Sequence, residues 1–493
     1  MSSLLFTDSS WDFATLDRAY KAIEEIALND LGLDVYPNQI EIISSEQMLD
    51  AYSSLAMPLM YNHWSFGKLF AREETLYRAG YSALAYEIVI NSNPCISYLL
   101  EENTMTMQAL VMAHAAFGHN HFFKNNYLFR QWTNAESILD YLAFAKKYVA
   151  ACEERHGRDE VEAVLDAAHA LMDQGVFRYR RPPKPSKERV LEKHRRRMEY
   201  EEEAYNELWR TLPAGIEPPS APPTPDPDDA FEADAKLPEE NLLYFLEKHS
   251  PALKPWQRET LRIVRNLAQY FHPQRQLKVM NEGCATFVHY TIMNALYDRG
   301  MIGEGSLLEF MHSHTSVVFQ PEFNDKRYYG INPYALGYAM MEDIRRICEA
   351  PTAEDRDWFP DLAGSGEPMA GLRNAWANYR DESFIEQFLS PKLMRDFRFF
   401  SLFDKADDAT YKVGAIHNER GYRAVRTALA RQYDTSADPD IQVAGADLRG
   451  NRTLYLEHRM NRGVPLHDAT RQLVLAHVEF LWGHDVKLEE VAE

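Results

Sequence analysis

Cysteine is scarce in this 493-residue chain: Cys95, Cys152, Cys284 and Cys348 stand far apart and form no C-x-x-C. That pattern excludes a zinc ribbon and a thioredoxin motif, and it suits reduced thiols in a cytosolic protein. A basic excess is also missing. Lys plus Arg number 53 against 74 Asp plus Glu, a net charge of −21, which argues against general nucleic-acid binding. The most apolar stretch, Tyr81 to Leu100, is interrupted by Glu87, Asn91, Asn93 and Pro94, so no membrane span is expected. Met1 to Ser10 has no basic start and no apolar core, so no secretory signal is expected and the location read from the sequence is cytoplasmic. There is no P-loop, no G-x-G-x-x-G, no G-x-S-x-G and no internal repeat.

What is present is enough apolar material for a large core: 45% of residues, with 12% aromatic. The length suggests two or three domains. Amphipathic spacing predicts a helix over 16–31, ended by Gly32. Further helices are expected over 71–90, 95–117, 134–153, 159–174 and 256–271, with a break at Asn91 to Pro94. Residues 178–197 hold ten Lys or Arg against two Glu, and Glu199, Glu201, Glu202 and Glu203 follow, which reads as a charged, solvent-facing helix over 178–203. Seven prolines and six acidic residues over 214–238 read as an acidic surface loop inserted in a domain. Near the end, a helix over 418–432, strands at 441–444 and 453–457 around a turn at 448–451, and a helix over 467–482 are expected. The fold class is therefore α+β: a mainly helical body, residues 1–410, and a small C-terminal α/β module, residues 411–493.

The densest polar cluster is His114-Ala115-Ala116-Phe117-Gly118-His119-Asn120-His121. Neutral imidazoles are common ligands for zinc and related metals. On an ideal helix His114 and His119 are about 500° apart, so they share a site only if the helix ends or bulges near Gly118. His119 and His121 converge only if that stretch is extended. A second cluster, Asn281-Glu282-Gly283 through His289-Tyr290, puts Glu282 and His289 two helical turns apart on one face. Packed histidines and a helix-capping glutamate are the plainer readings of both clusters. Glu153 with His156 and Asp166 with His169 have the acid-x-x-His spacing of di-iron bundles, with Glu87, Glu101 and Glu102 as further carboxylates. His63-Trp64-Ser65-Phe66-Gly67-Lys68 is a further concentration. So is His312-Ser313-His314, which precedes a strand-like Val317-Val318-Phe319; if extended, its two histidines point one way and could serve a metal or an anion.

The two main clusters together are similar to those of gluzincin metallopeptidases, where an H-E-x-x-H helix gives two metal ligands and a later N-E-G-x-A helix gives a glutamate. Asn281-Glu282-Gly283-Cys284-Ala285 matches the second motif, with Glu282 at the ligand position. The first departs from it: Ala115 stands where the general-base glutamate belongs, and His119 comes one position late. This likeness implies a distant zincin-like helical core with zinc as the cofactor. His114, His119 and Glu282 would be ligands with His121 and His289 as alternates. His289 or Tyr290 would stabilise an oxyanion, and Glu101 or Glu102 would serve as base.

Nearly the whole chain resembles the stage V sporulation protein R (SpoVR-like) family. The resemblance is carried by Tyr36-Pro37-Asn38-Gln39-Ile40-Glu41, His63-Trp64-Ser65-Phe66-Gly67-Lys68, Tyr86-Glu87-Ile88-Val89-Ile90-Asn91-Ser92-Asn93-Pro94, Gly118-His119-Asn120-His121-Phe122-Phe123-Lys124-Asn125-Asn126, Asn281-Glu282-Gly283 and Asn332-Pro333-Tyr334-Ala335-Leu336-Gly337. Cys284 replaces the tryptophan usual after Glu-Gly in the family. The resemblance implies a bacterial protein linked to spore cortex formation in spore formers. It also implies association with a serine protein kinase and a protein with a von Willebrand-like domain. Three functions follow: a regulatory or scaffold protein acting with that kinase, a metal-dependent hydrolase of peptide or cell-wall amide bonds, and a di-iron carboxylate protein.

Overall fold

The computed structural model describes residues 4–53, 60–64, 87–178, 237–322, 325–399, 401–403, 412–414, 419–447 and 450–492. The first elements are α1 (Phe13–Glu25), β1 (Asn38–Ile43), α2 (Ser45–Ser53), β2 (Glu87–Ile90) and β3 (Cys95–Leu100). A continuous helix follows: α3 (Met105–Met112), a π-helical segment (Ala113–His119) and α4 (Asn120–Asn125). Then come α5 (Tyr127–Trp132), α6 (Ile138–His156), α7 (Arg158–Ala170), α8 (Leu242–His249), α9 (Pro255–Phe271), α10 (Lys278–Asp298), α11 (Glu304–Val317) and α12 (Pro333–Glu349). The remainder is α13 (Ala353–Trp358), α14 (Pro368–Asn378), α15 (Asp381–Phe388), α16 (Pro391–Asp396), β4 (Ser401–Phe403), β5 (Lys412–Gly414), α17 (Glu419–Ala430), β6 (Asp440–Ala446), β7 (Leu454–Met460), α18 (Asp468–Trp482) and β8 (Val486–Ala492). The body is mainly helical, and an α/β module closes the chain, as the sequence implies.

Two compact units divide these elements. The first holds residues 1–165 and 266–438, the second 166–265 and 439–493. The C-terminal strands therefore group with the middle of the chain, and the division falls at 438 where the sequence suggested 410. Residues 178 and 237, which flank the charged and Pro-rich stretches, both lie in the second unit. The charged helix expected over 178–203 and the loop over 214–238 fall outside the described residues apart from their ends.

In the first unit α10 is the central helix. Val279, Met280, Cys284, Ala285, Phe287, Val288, Ile292, Met293 and Leu296 are all buried. A helix apolar on nearly every side must be surrounded. Two glycines let its neighbours come close. A Cβ on Gly118 would lie 2.5 Å from the Cα of Ala285, and one on Gly283 would lie 2.6 Å from the Cα of Gly337 on α12. The start of α10 has no side-chain cap of its own. Asp381, from α15, caps it instead, accepting from the amides of Val279 at 2.9 Å and Met280 at 2.8 Å. A three-stranded sheet, order β1-β3-β2, packs against the π-helical segment: β1 runs parallel to β3, and β2 is an antiparallel edge.

Helices expected over 71–90 and 95–117 are corrected here. Glu87–Ile90 and Cys95–Leu100 are strands, and helix begins at Met105 after the Thr104 cap, whose hydroxyl accepts from the Met107 amide at 3.2 Å. Residues 71–86 lie outside the described residues. His312 and His314 are also helical, on α11, and Val317 ends that helix rather than opening a strand. In the second unit β6 pairs antiparallel with β7, as the hairpin reading implied. β8 then returns parallel to β7, Leu454 opposite Val486, after the crossover helix α18. Gly483 takes φ 82° to end that helix.

Candidate metal centre

The π-helical segment answers the spacing problem posed by His114 and His119. Its hydrogen bonds run from i to i+5, so five residues close about one turn. Both imidazoles therefore rise on one side, with ring centroids 4.6 Å apart and planes at 89°. The same side meets α10 at the Gly118–Ala285 crossing, three residues after Glu282. The Nε2 atoms of His114 and His119 stand 3.9 Å and 3.6 Å from the Glu282 Oε2. From the sheet edge, Glu87 brings its Oε1 to 3.7 Å from His114 Nε2. Glu87, His114 and His119 thus bring their ligand atoms mutually within 4.8 Å, and Glu282 borders both imidazoles from α10.

The outer nitrogens are already engaged. His119 Nδ1 is 2.9 Å from the Asn281 Oδ1, which can only accept, so the proton sits on Nδ1 and the Nε2 lone pair points inward. His114 Nδ1 is 2.8 Å from His289 Nδ1. Glu282 Oε2 is buried with no hydrogen-bond partner. A buried carboxylate oxygen without a donor is costly unless a cation meets it.

Burial sets the protonation of the chamber. It pushes His114 and His289 well below the ordinary imidazole range, with neighbouring imidazoles adding to the effect. Burial also lowers His314 to about 4. Glu87 rises to about 8, first from burial and then from the Glu282 carboxylate. His114, His289 and His314 are thus neutral, and neutral imidazole is the form that ligates metals.

Several residues singled out in the sequence lie elsewhere. His121 is helical, not extended, so it turns away from His119. Its Nδ1 sits 3.0 Å from the backbone of Asp34, and its ring edges against Trp376. Glu101 and Glu102 are exposed in the turn after β3, where Glu102 accepts from the Ser45 hydroxyl at 2.6 Å. They stand outside the ligand group, so a base from either has no support in this geometry. Tyr290 is half-buried beside His314, with centroids 4.7 Å apart. His289 joins the cluster, but imidazoles occupy both of its nitrogens, which leaves no free donor for an oxyanion. The pairs Glu153/His156 and Asp166/His169 form no ligand group among the described residues. Ser65 to Lys68 fall outside the described residues, while His63 is buried. The sequence points to Glu87 only as a carboxylate for a di-iron bundle, because the apolar spacing over 71–90 reads as helix.

The class is a mainly helical protein with a buried histidine–carboxylate chamber where a π-helical segment crosses a central helix. Residues 10–438 match the family model described as SpoVR like protein, and residues 439–493 match that of the SpoVR-like C-terminal domain. The chain belongs to the SpoVR-like family. The uncharacterized protein YcgB of Escherichia coli (strain K12) is 56% identical over 488 residues, 98% of this chain and 93% of that protein. No solved structure matches. No helix among the described residues is long and apolar enough to cross a membrane.

Proposed function

We propose that this chain is a metal-dependent hydrolase that holds one divalent ion of the zinc class on His114, His119 and Glu282. The carrying observation is that the Nε2 atoms of two imidazoles face one unpartnered buried carboxylate oxygen at 3.6 and 3.9 Å. A tetrahedral ion with bonds of about 2.0–2.1 Å spaces its ligand atoms about 3.3–3.4 Å apart, so each imidazole would close on the Glu282 oxygen by about 0.2–0.6 Å. Two nitrogens and one carboxylate are the donor set of catalytic zinc sites that keep an open position. When bound, such an ion polarises a carbonyl and acidifies water.

The chain's own residues would do the rest. Glu87 supplies from the sheet the carboxyl that Ala115 does not supply from the helix. Its carboxyl, 3.7 Å from His114 Nε2, stands where it could pass a proton to or from a bound water. Peptide or cell-wall amides are the substrates that fit this chemistry, within a sporulation or stress pathway. Ala115 also favours a second reading. If Glu87 is itself a fourth ligand, the site is closed, and the ion supports a regulatory protein working with a serine protein kinase.

X-ray absorption of zinc-loaded protein, wild type and Glu87→Gln, together with an amide-hydrolysis screen, separates the two. Three protein ligands, and hydrolysis lost in Glu87→Gln with zinc retained, support the hydrolase. Four protein ligands and no hydrolysis of any amide tested overturn it.

A further inference from the structure

Behind His114 lies a row of imidazoles that the ligand set does not use. His289 stands on α10 two turns beyond Glu282, on the same face. Its Nδ1 is 2.8 Å from His114 Nδ1, and its Nε2 is 3.0 Å from Nδ1 of His314, on α11. The His314 ring is packed by Tyr290 at 4.7 Å and Tyr338 at 4.8 Å. All three histidines are buried.

Each link joins two ring nitrogens, and one proton must lie between them. A neutral imidazole carries one proton, so a row of three has only two consistent orders, each running in one direction. A ligand nitrogen carries no proton. Once His114 Nε2 holds the ion, Nδ1 must donate to His289 Nδ1. His289 Nε2 then donates to His314 Nδ1. The reverse order is excluded. Metal-bound histidines ordinarily pass the second N–H to a carboxylate, carbonyl or water, and His119 does so with Asn281. His114 meets another imidazole at Nδ1, and its ring also hydrogen-bonds the backbone of Ala285.

We propose that His289 and His314 are positioning residues for His114, an imidazole chain that fixes its tautomer and ring plane so that Nε2 faces the ion. This rests on the ion site proposed above. It goes beyond it by assigning two residues that never touch the ion.

The test measures zinc affinity by competition with a chromophoric chelator and records the visible spectrum of the cobalt-substituted protein. The variants are His289→Phe, His289→Gln, His314→Gln, His121→Gln and His119→Ala. His289→Phe, which removes the acceptor, is expected to weaken zinc by about 10–100-fold and to change the cobalt spectrum. His289→Gln keeps an amide oxygen that can accept from His114 and should recover part of that loss, which packing alone does not explain. His314→Gln should weaken zinc less than His289→Phe. His121→Gln, equally buried but outside the chain, should leave both readouts unchanged.

Wild-type affinity and spectrum in His289→Phe, or equal losses in the Phe and Gln variants, overturn the proposal. Should His289→Phe fail to fold, His314→Gln decides, and unchanged affinity and spectrum there overturn it. If the wild-type protein binds no zinc or cobalt, the ion site itself fails and this inference with it. If His119→Ala loses the ion while His289→Phe keeps it, only the imidazole chain is refuted.

Discussion

Gly118→Ala puts the site's construction under direct stress. The new Cβ would sit 2.5 Å from the Cα of Ala285 and 2.9 Å from its Cβ. Carbon atoms in contact rest about 3.5–4.0 Å apart. The obstacle is backbone and a methyl stem in a buried helix, not the far end of a flexible chain, so the two helices must part by about 1 Å. Overpacking of this kind costs about 1–3 kcal/mol. Glu282 lies one turn before Ala285 and moves with it, which stretches the 3.6 and 3.9 Å separations to His119 and His114 beyond the reach of one ion. The assay is thermal unfolding plus metal content after dialysis against zinc. Gly305→Ala is the control: it lies in α11 with nothing within 4 Å of its added Cβ. There the methyl should leave metal content unchanged and stabilise by about 0.5–1 kcal/mol. If Gly118→Ala keeps wild-type stability and full metal content, the close crossing does not set the site.

Glu282→Gln removes a carboxylate whose Oε2 is buried without a donor; melting of the ion-free protein should stay level or rise by about 1 kcal/mol, while zinc binding by titration is lost. A clear fall in ion-free stability would contradict this. Burial raises Asp381 to about 7, against the two amides it accepts from. In the unfolded chain it ionises near pH 4, so between about 4 and 7 the folded state holds the extra proton and loses stability as pH rises. The slope approaches 1.4 kcal/mol per pH unit; Asp381→Asn should flatten that part of a denaturant-unfolding pH series, and an unchanged slope refutes the assignment. His121 behaves in the opposite sense. Burial, opposed by the Asp34 carbonyl, lowers it to about 4, so its contribution of about 3 kcal/mol is lost as pH falls from about 6.5 towards 4. His121→Gln should shift acid unfolding measured by circular dichroism to lower pH, and no shift counts against it.

Helices with one apolar stripe were legible in the sequence. The predicted 16–31, 256–271 and 467–482 segments correspond to α1 with the π-helical segment Ile26–Asp30 that continues it, α9 and α18. Cys95–Leu100 was not, because it is buried at five of its six positions. An apolar run of that kind has no strand period, and periodicity cannot separate it from a buried helix. The error at Glu87–Ile90 hid a site residue, since Glu87 reaches the chamber only from the edge of a sheet. In β8 the alternation of buried and exposed residues covers only Val486 to Glu489 before Glu490 interrupts it, too short a run to stand out as a strand.

The site was half legible. Glu282 and His289 followed from helical spacing alone. His114 with His119 required a bulge near Gly118, and the π-helical segment supplies it. That backbone register is a tertiary choice, made where Gly118 meets Ala285, and no local propensity signals it. His314 needed the opposite correction: on a helix it turns inward while His312 faces out, so the pair does not act together.

The central claim is a single ion held by residues from two distant motifs, and metal stoichiometry tests it most directly. Protein purified without chelator would be analysed for elemental content, as wild type and as the His119→Ala, Glu282→Ala double variant. Near-stoichiometric zinc-class metal is expected in the wild type, and its loss from the folded variant. A folded wild-type protein that takes up no metal, or a double variant that retains it in full, would contradict the account.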